Sequence, residues 1–265
     1  MKSTIKRYIK PVAICSVLLT MMVASCKQDD YYQDGGKADP KFNGTVLQYL
    51  QSNPKFDTIA QIVKLAGLED MFSNEEITFF CPTDEVIRRT IGRVGGRPNF
   101  PNDPYINGLN QFLFNQGKDT IKTFTDVPGT IWRKYMLRYV FKGKNVLKDY
   151  PQIDFTLKQL HPGGFYTTWN SDLCNIGVVF NPVNGVKYTG YRQLCISYVR
   201  DVSNPDQSLF YTAAVATSDV QPTNGVVHVL AIAGNLTTIG EVFVSPLGDM
   251  YGFGDDFWID VAFNR

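Results

Sequence analysis

Cys81 stands three residues before a carboxylate pair, Asp84 and Glu85, in the stretch TFFCPTDEVI at positions 78–87. A thiol attacks only as thiolate, which needs a histidine base or an electropositive, accessible setting. Only His161 and His228 occur in the chain, and Cys81 closes the apolar run ITFFC. Those neighbours predict a small buried thiol packed as a hydrophobe, inert and replaceable by alanine. His228 lies in GVVHVLAIA, where strand alternation permits either face, and His161 precedes Pro-Gly-Gly, a turn sequence. Asp255 and Asp256 in GFGDDFW form a second carboxylate pair. As a strand, that segment would send them to opposite faces, which suits surface charge rather than an acid–base dyad. It also lacks the alternating oxygen ligands of a calcium loop. Two histidines and no thiol pair at zinc-finger spacing predict no metal, no cofactor and no enzyme.

Two kinds of chemistry remain. Cys174 and Cys195 form a disulfide in an oxidising compartment if their Cα separation allows it, leaving Cys81 unpaired. Aromatic residues make up 13% of the chain, with 14 Tyr and 18 Phe, and most of them must fill a core. A few exposed rings would pack on sugar faces or partner side chains. Trp132, Trp169, Tyr188, Tyr191 and Trp258 are the candidate rings, and Trp169, Tyr188 and Tyr191, in FYTTWNSD and VKYTGYR, make the preferred candidate binding surface.

The elements that must position these groups change character along the chain. TVLQYL (45–50) is amphipathic at helical spacing and stops before Pro54. A helix follows with Asp57 as its expected N-cap, Ile59, Ile62, Val63 and Ala66 on one face, and Gly67 closing it. LEDMFSNEE links to the strand ITFFC; Pro82 ends that strand, and Thr83 is expected to accept the free amides of a new helix opened by Asp84 and Glu85. GRVGGRPNFPNDPYIN (92–107) reads as a loop, with helical character again from Leu109 to Phe114 and from Ile131. Beyond residue 160 come short runs rich in Val, Ile, Tyr, Phe and Thr: FYTTW, IGVVF, QLCISYV, LFYTAAVATSDV and GVVHVLAIAG. Helices first and strands afterwards predict an α+β fold, with helices on a mainly antiparallel, sandwich-like core.

The first 25 residues have a basic start, an apolar stretch from Val12 to Met22 and a small-residue end, as in a secretory signal. VASC resembles the lipobox of bacterial lipoproteins, which implies lipid on Cys26, and KQDD after it resembles the acidic export signal of Bacteroidetes surface lipoproteins. Residues 26–42 read as the lipidated start and a flexible tether, and 43–265 as the domain. The expected location is the outer membrane, facing outward. Lys plus Arg number 26 against 25 acidic residues, and several cations fall in the signal, which disfavours a nucleic-acid partner.

Three ordered stretches resemble a fasciclin (FAS1) domain. FDTIAQIVKLAGLEDMF with ITFFCPTDEVI is similar to the family's opening helix and first box. YMLRYVFKGKNVLKDY is similar to its middle segment, and YTAAVATSDVQPTNGVVHVLAIAG to its closing box. The resemblance covers about Asn43 to Gly234. It makes Thr83, Tyr139 and His228 structural motif residues, while Val140 stands where a histidine is usual. The segment between His161 and Phe210 is additional. The resemblance implies a module for adhesion or for binding an extracellular protein or glycan. The alternative is an accessory subunit of a SusC/SusD-like uptake complex with a TonB-dependent transporter. The tripeptide Asp-Thr-Ile, at 57–59 and 119–121, is similar to a short O-glycosylation pattern of exported Bacteroidetes proteins.

Overall fold

Short amphipathic helices followed by apolar strands become an α+β fold in the computed structural model, which describes residues 39–95, 108–205, 210–231, 237–239, 242–244 and 251–265. The signal, Cys26 and most of the 92–107 loop lie outside these residues. Helix α1 (Val46–Ser52) opens with a reciprocal cap: the Gln48 N–H donates to Thr45 Oγ1 at 3.3 Å, and Gln48 Oε1 accepts from the Thr45 N–H at 2.8 Å. Helix α2 (Asp57–Leu65) buries Ile59, Ile62 and Val63 and closes at Gly67, whose φ of 63° suits only glycine without strain. Helix α3 (Glu69–Asn74) leads into β1 (Ile77–Cys81), buried at all five positions, and Pro82 separates β1 from α4 (Asp84–Ile91).

Capping differs from the sequence expectation at two positions. Asp57 is the first residue of α2 and not its N-cap, and Thr83, although it occupies the N-cap position of α4, makes no capping bond; its Oγ1 is buried without a partner. Asp84 does the work for α2 from another helix: its Oδ1 accepts the Thr58 and Ile59 N–H groups at 3.0 and 3.2 Å. One carboxylate thus serves the positive ends of two helices.

After α5 (Leu109–Asn115) and α6 (Gly129–Met136), the chain adds β2 (Val140–Lys142), β3 (Gly164–Thr167), β4 (Leu173–Phe180), β5 (Arg192–Tyr198), β6 (Tyr211–Val220) and β7 (Gly225–Leu230). One seven-stranded sheet results, in the order β2-β1-β7-β6-β5-β4-β3. Only β1 and β7 run parallel, so the sandwich-like core takes the form of one curled, mainly antiparallel sheet. The curl nearly closes it: the Trp169 N–H donates to Val140 O at 2.7 Å, and Tyr150 packs edge-on against Tyr166 at 5.3 Å. A separate ribbon pairs β8 (Thr237–Ile239) with β9 (Val242–Val244).

On the inner face Phe80 touches Phe141, Tyr150 and His228, while on the helical side Phe79 meets Phe72 at 5.0 Å. The last helix, α7 (Asp255–Phe263), replaces the strand expected around Asp255 and Asp256. Its apolar residues repeat with helical spacing, and two carboxylates in the first turn favour a helix N-terminus. Asp255 is exposed, whereas Asp256 lies 3.8 Å from the buried Arg138 guanidinium and 3.0 Å from Arg200. Arg138 also stacks over Tyr135 and Tyr198 at 4.4 and 4.6 Å, which fastens α7 to the sheet. Phe253 and Phe257 complete this aromatic cluster against Trp132 and Tyr135.

Candidate functional site: an aliphatic and tyrosine tip

Beyond the β4–β5 end of the sheet the chain builds a projecting tip from two loops. In the hairpin, Asn184 and Gly185 have φ of 50° and 77°, and Val183 and Val186 exchange backbone hydrogen bonds at 3.2 and 2.9 Å. Asn-Gly with both residues at positive φ makes a two-residue turn whose twist matches the strands. Tyr188 also has positive φ, 66°, which is costly for a bulky side chain and persists only where surrounding contacts fix it. Those contacts are present. The Tyr188 hydroxyl donates to Asp154 Oδ2 at 2.9 Å, its ring meets His161 edge-on at 5.7 Å, and its carbonyl accepts from Arg192 at 3.3 Å.

Asp154 belongs to the second loop, 154–163, and ties it to the hairpin. Its Oδ1 accepts the Thr156 hydroxyl and N–H at 2.7 and 2.8 Å and the Leu157 N–H at 3.0 Å. Partial burial alone would raise its pKa, but these bonds and that from Tyr188 outweigh it and bring the carboxyl down to about 2. Arg192 is likewise occupied, 3.6 Å over the Phe180 ring. On this braced frame the apolar side chains face solvent: Leu160 is 69% exposed, Tyr191 66% and Val186 57%, with Leu157 and Val183 beside them. The face offers apolar contact, with the His161 ring beside Tyr188 at its edge.

Of the three rings expected to form a binding surface, the structure brings Tyr188 and Tyr191 together and separates Trp169. Successive antiparallel hairpins turn at opposite ends of their shared strand, and β4 has eight residues, about 25 Å. Trp169 sits in the β3–β4 connection, partly buried against the core with Lys142 over its ring at 5.1 Å, where its backbone closes the sheet seam. Val183, Val186, Leu157 and Leu160 were missed in the sequence. The signal for the hairpin was VNGV: a turn dipeptide flanked by valines.

The other candidate residues are structural. Cys174 and Cys195 are free and buried, and no disulfide joins them. Cys174 lies opposite Tyr198 and Cys195 opposite Gly177, so they are three rungs apart, about 10 Å, and on opposite faces. Burial raises both thiols to about 12, despite hydrogen bonds to Tyr251 and Gly177 that oppose the rise. Burial, then the nearby Asp84 charge, pushes Cys81 well above the ordinary thiol value, opposite to what a nucleophile needs. His228 is fully buried. Its Nδ1 accepts the Asp219 N–H at 3.3 Å, so Nε2 carries the proton and donates to Asn145 O at 3.0 Å. Burial holds its pKa below the usual histidine value, against the raising effects of Asn145 and Asp219. Tyr139 is buried too, and its hydroxyl accepts the Gly252 N–H at 2.9 Å. Among the described residues no group of three His, Cys, Asp or Glu is placed to hold a metal.

No protein-family model and no curated protein matches the chain. Among solved structures, the chain is similar to one described as "Novel Fold Revealed by the Structure of a FAS1 Domain Pair from the Insect Cell Adhesion Molecule Fasciclin I". Identity is 17% and the TM-score 0.42, over 78% of this chain and 52% of that one. The chain therefore spans about half the length of that structure.

Proposed function

We propose that this protein is a fasciclin-type surface lipoprotein, held to the outer membrane by lipid on Cys26, that works without catalysis as a binding module and docks through the tip. The observation that carries the docking surface is the tip itself: aliphatic side chains and a tyrosine face solvent on two loops fixed by the Asp154–Tyr188 pair. Isolated exposed apolar residues are ordinary, but several grouped on a braced, projecting frame mark a contact surface. The fasciclin reading is supported by the strand, break and helix at TFFCPTDEVI, by Tyr139 leading into β2, and by His228 in the buried strand parallel to β1. An extracellular protein, a glycan or a lipid surface would each be met by such a face.

The test compares the wild-type protein with a Leu160→Ser/Val186→Ser variant for binding to immobilised extracellular proteins, glycans and lipid vesicles, with thermal unfolding as a control. Binding should be lost in the variant while its melting temperature is unchanged. Equal retention by both proteins on every surface would sink the proposal. Copurification of a TonB-dependent transporter with the wild type alone would make the protein an accessory subunit docked by the same tip.

A further inference from the structure

The charge around the tip and the place where the chain enters the domain narrow the partner class. Loops 154–163 and 181–192 carry Lys158, Lys187 and Arg192 but one carboxylate, Asp154. That carboxylate is turned inward onto Thr156, Leu157 and Tyr188. Lys158 directly follows Leu157 and Lys187 directly follows Val186, so each cation stem starts beside an exposed aliphatic side chain. The hairpin tip is closed by a two-residue turn and is aliphatic more than aromatic. Sugar recognition favours flat rings with converging polar groups, and tight protein contacts centre on pockets and buried anchors. Aliphatic and tyrosine side chains with lysines alongside match a lipid interface, where apolar parts enter the headgroup boundary and ammonium groups remain at anionic headgroups.

The second observation is topological. Pro40 O accepts the Gln221 N–H at 2.7 Å, and the Phe42 N–H donates to Gln221 O at 3.0 Å, which pins the start of the domain just past the end of β6. Gly177, Cys195 and Ala214 share one rung across β4, β5 and β6. From that rung Val183 is six residues onward and Gln221 seven, which two register shifts in β6 shorten to about five rungs; both lie in the same direction because β4 and β6 run alike. Tip and chain entry therefore lie toward the same end of the strands, at about 20 and about 17 Å from that rung. Thirteen residues lie between Cys26 and Pro40, and the fourteen steps reach at most about 50 Å.

From these two observations we infer that the tip docks onto the anionic bilayer in which Cys26 is anchored, giving the domain a second, noncovalent attachment that fixes its orientation. This rests on the reading of the tip as the contact surface and of Cys26 as lipidated. Hydrophobic insertion and lysine attraction add, and salt weakens only the second.

The test uses residues 26–265, without signal and lipid, as Cys26→Ala, in flotation with vesicles of phosphatidylcholine alone or with 30% phosphatidylglycerol. The protein should float with the anionic vesicles, and less at high salt. Leu160→Ser/Val186→Ser should lower partitioning tenfold or more, on the order expected for burying one or two aliphatic side chains. Lys158→Glu or Lys187→Glu should each lower it about fivefold or more. Phe263→Ser, on the exposed face of α7, should change nothing. No partitioning onto anionic vesicles, or undiminished partitioning by the tip variants, would overturn the inference. If vesicles are not bound but the tip variants still lose a protein or glycan, the contact-surface reading stands and the lipid assignment falls. If the variants change no binding anywhere, both fall. Lipidated protein reconstituted in anionic vesicles should leave them dispersed; tip-dependent clustering would show docking onto an opposing bilayer and overturn the assignment to its own.

Discussion

The structure holds two gatherings of apolar and tyrosine side chains that are put to opposite uses. In the first, Tyr135, Tyr139, Tyr251, Phe253 and Phe257 are buried where α6, β2 and α7 meet, and each tyrosine hydroxyl has a protein partner. In the second, Tyr188 is tied down while Tyr191 and its aliphatic neighbours remain in water. Both are rigidly framed, so exposure at the tip does not follow from a weak frame. Burial gives the first cluster stability; the frame of the second holds an apolar face where it contributes little to folding.

The sharpest way to break this comparison is truncation. Phe257→Ala should destabilise the protein by about 3–5 kcal/mol in urea unfolding, the usual cost of removing a buried ring, while Tyr191→Ala should stay within about 0.5 kcal/mol. Equal costs would show that the tip is part of the core. Gly252→Ala comes next, because a methyl there would lie 2.5 Å from Tyr139 Cε2. A loss of about 1–3 kcal/mol is expected from overpacking, and a neutral result would show that the buried cluster can shift as freely as a surface. Asp84→Ala removes the acceptor for two N–H groups of α2 and should cost about 1–2 kcal/mol by the same measurement.

Acid sharpens the contrast between interior and tip. His228 has a lowered folded pKa, so its neutral form favours folding above the unfolded value of about 6.5. As pH falls below that value the unfolded chain takes a proton that the folded one refuses. Stability should fall by up to about 1.4 kcal/mol per pH unit until the folded histidine titrates. Asp154 is also lowered, and its contribution is full above the unfolded value of about 3.9 and lost as pH falls through about 2. Protection of the Leu157 amide, its exchange relative to the intrinsic rate at each pH, should therefore be lost only in that lower window, later than the change due to His228. The smallest effect is expected of the thiols. Cys81, Cys174 and Cys195 should resist a thiol reagent under native conditions and react once the chain is unfolded in denaturant, and rapid native labelling of Cys81 would contradict its burial.

Local rules carried the sequence reading where partners were near in the chain. ITFFC, Pro82 and the helix after it were legible because a strand, a breaker and first-turn carboxylates lie side by side. The cap on α2 was not, since Asp84 reaches it from 25 residues away and the residue at the local N-cap position offers an aromatic ring. The strands of the second half were legible from composition, but Trp169 could be separated from Tyr188 and Tyr191 only once the hairpin order was known. The same register places Cys174 and Cys195 on opposite faces, which the count of cysteines cannot reveal. Surface charge is the local expectation for Asp256, and its pairing with Arg138 carries no local signal because that partner is buried and lies 118 positions earlier.

The parallel pairing of β1 with β7 has a consequence for how the chain reaches this state. Ile77 lies opposite Gly225, and Asn224 bonds to Val46, Phe72 and Glu75 at its two ends. The middle of the sheet therefore cannot assemble until about 150 residues of loop have been made and brought back, and contacts this distant slow folding. A chain threaded across a membrane from its N-terminus would keep its first half without a β7 partner until nearly all of it had crossed. Late closure would then favour passage in an unfolded form.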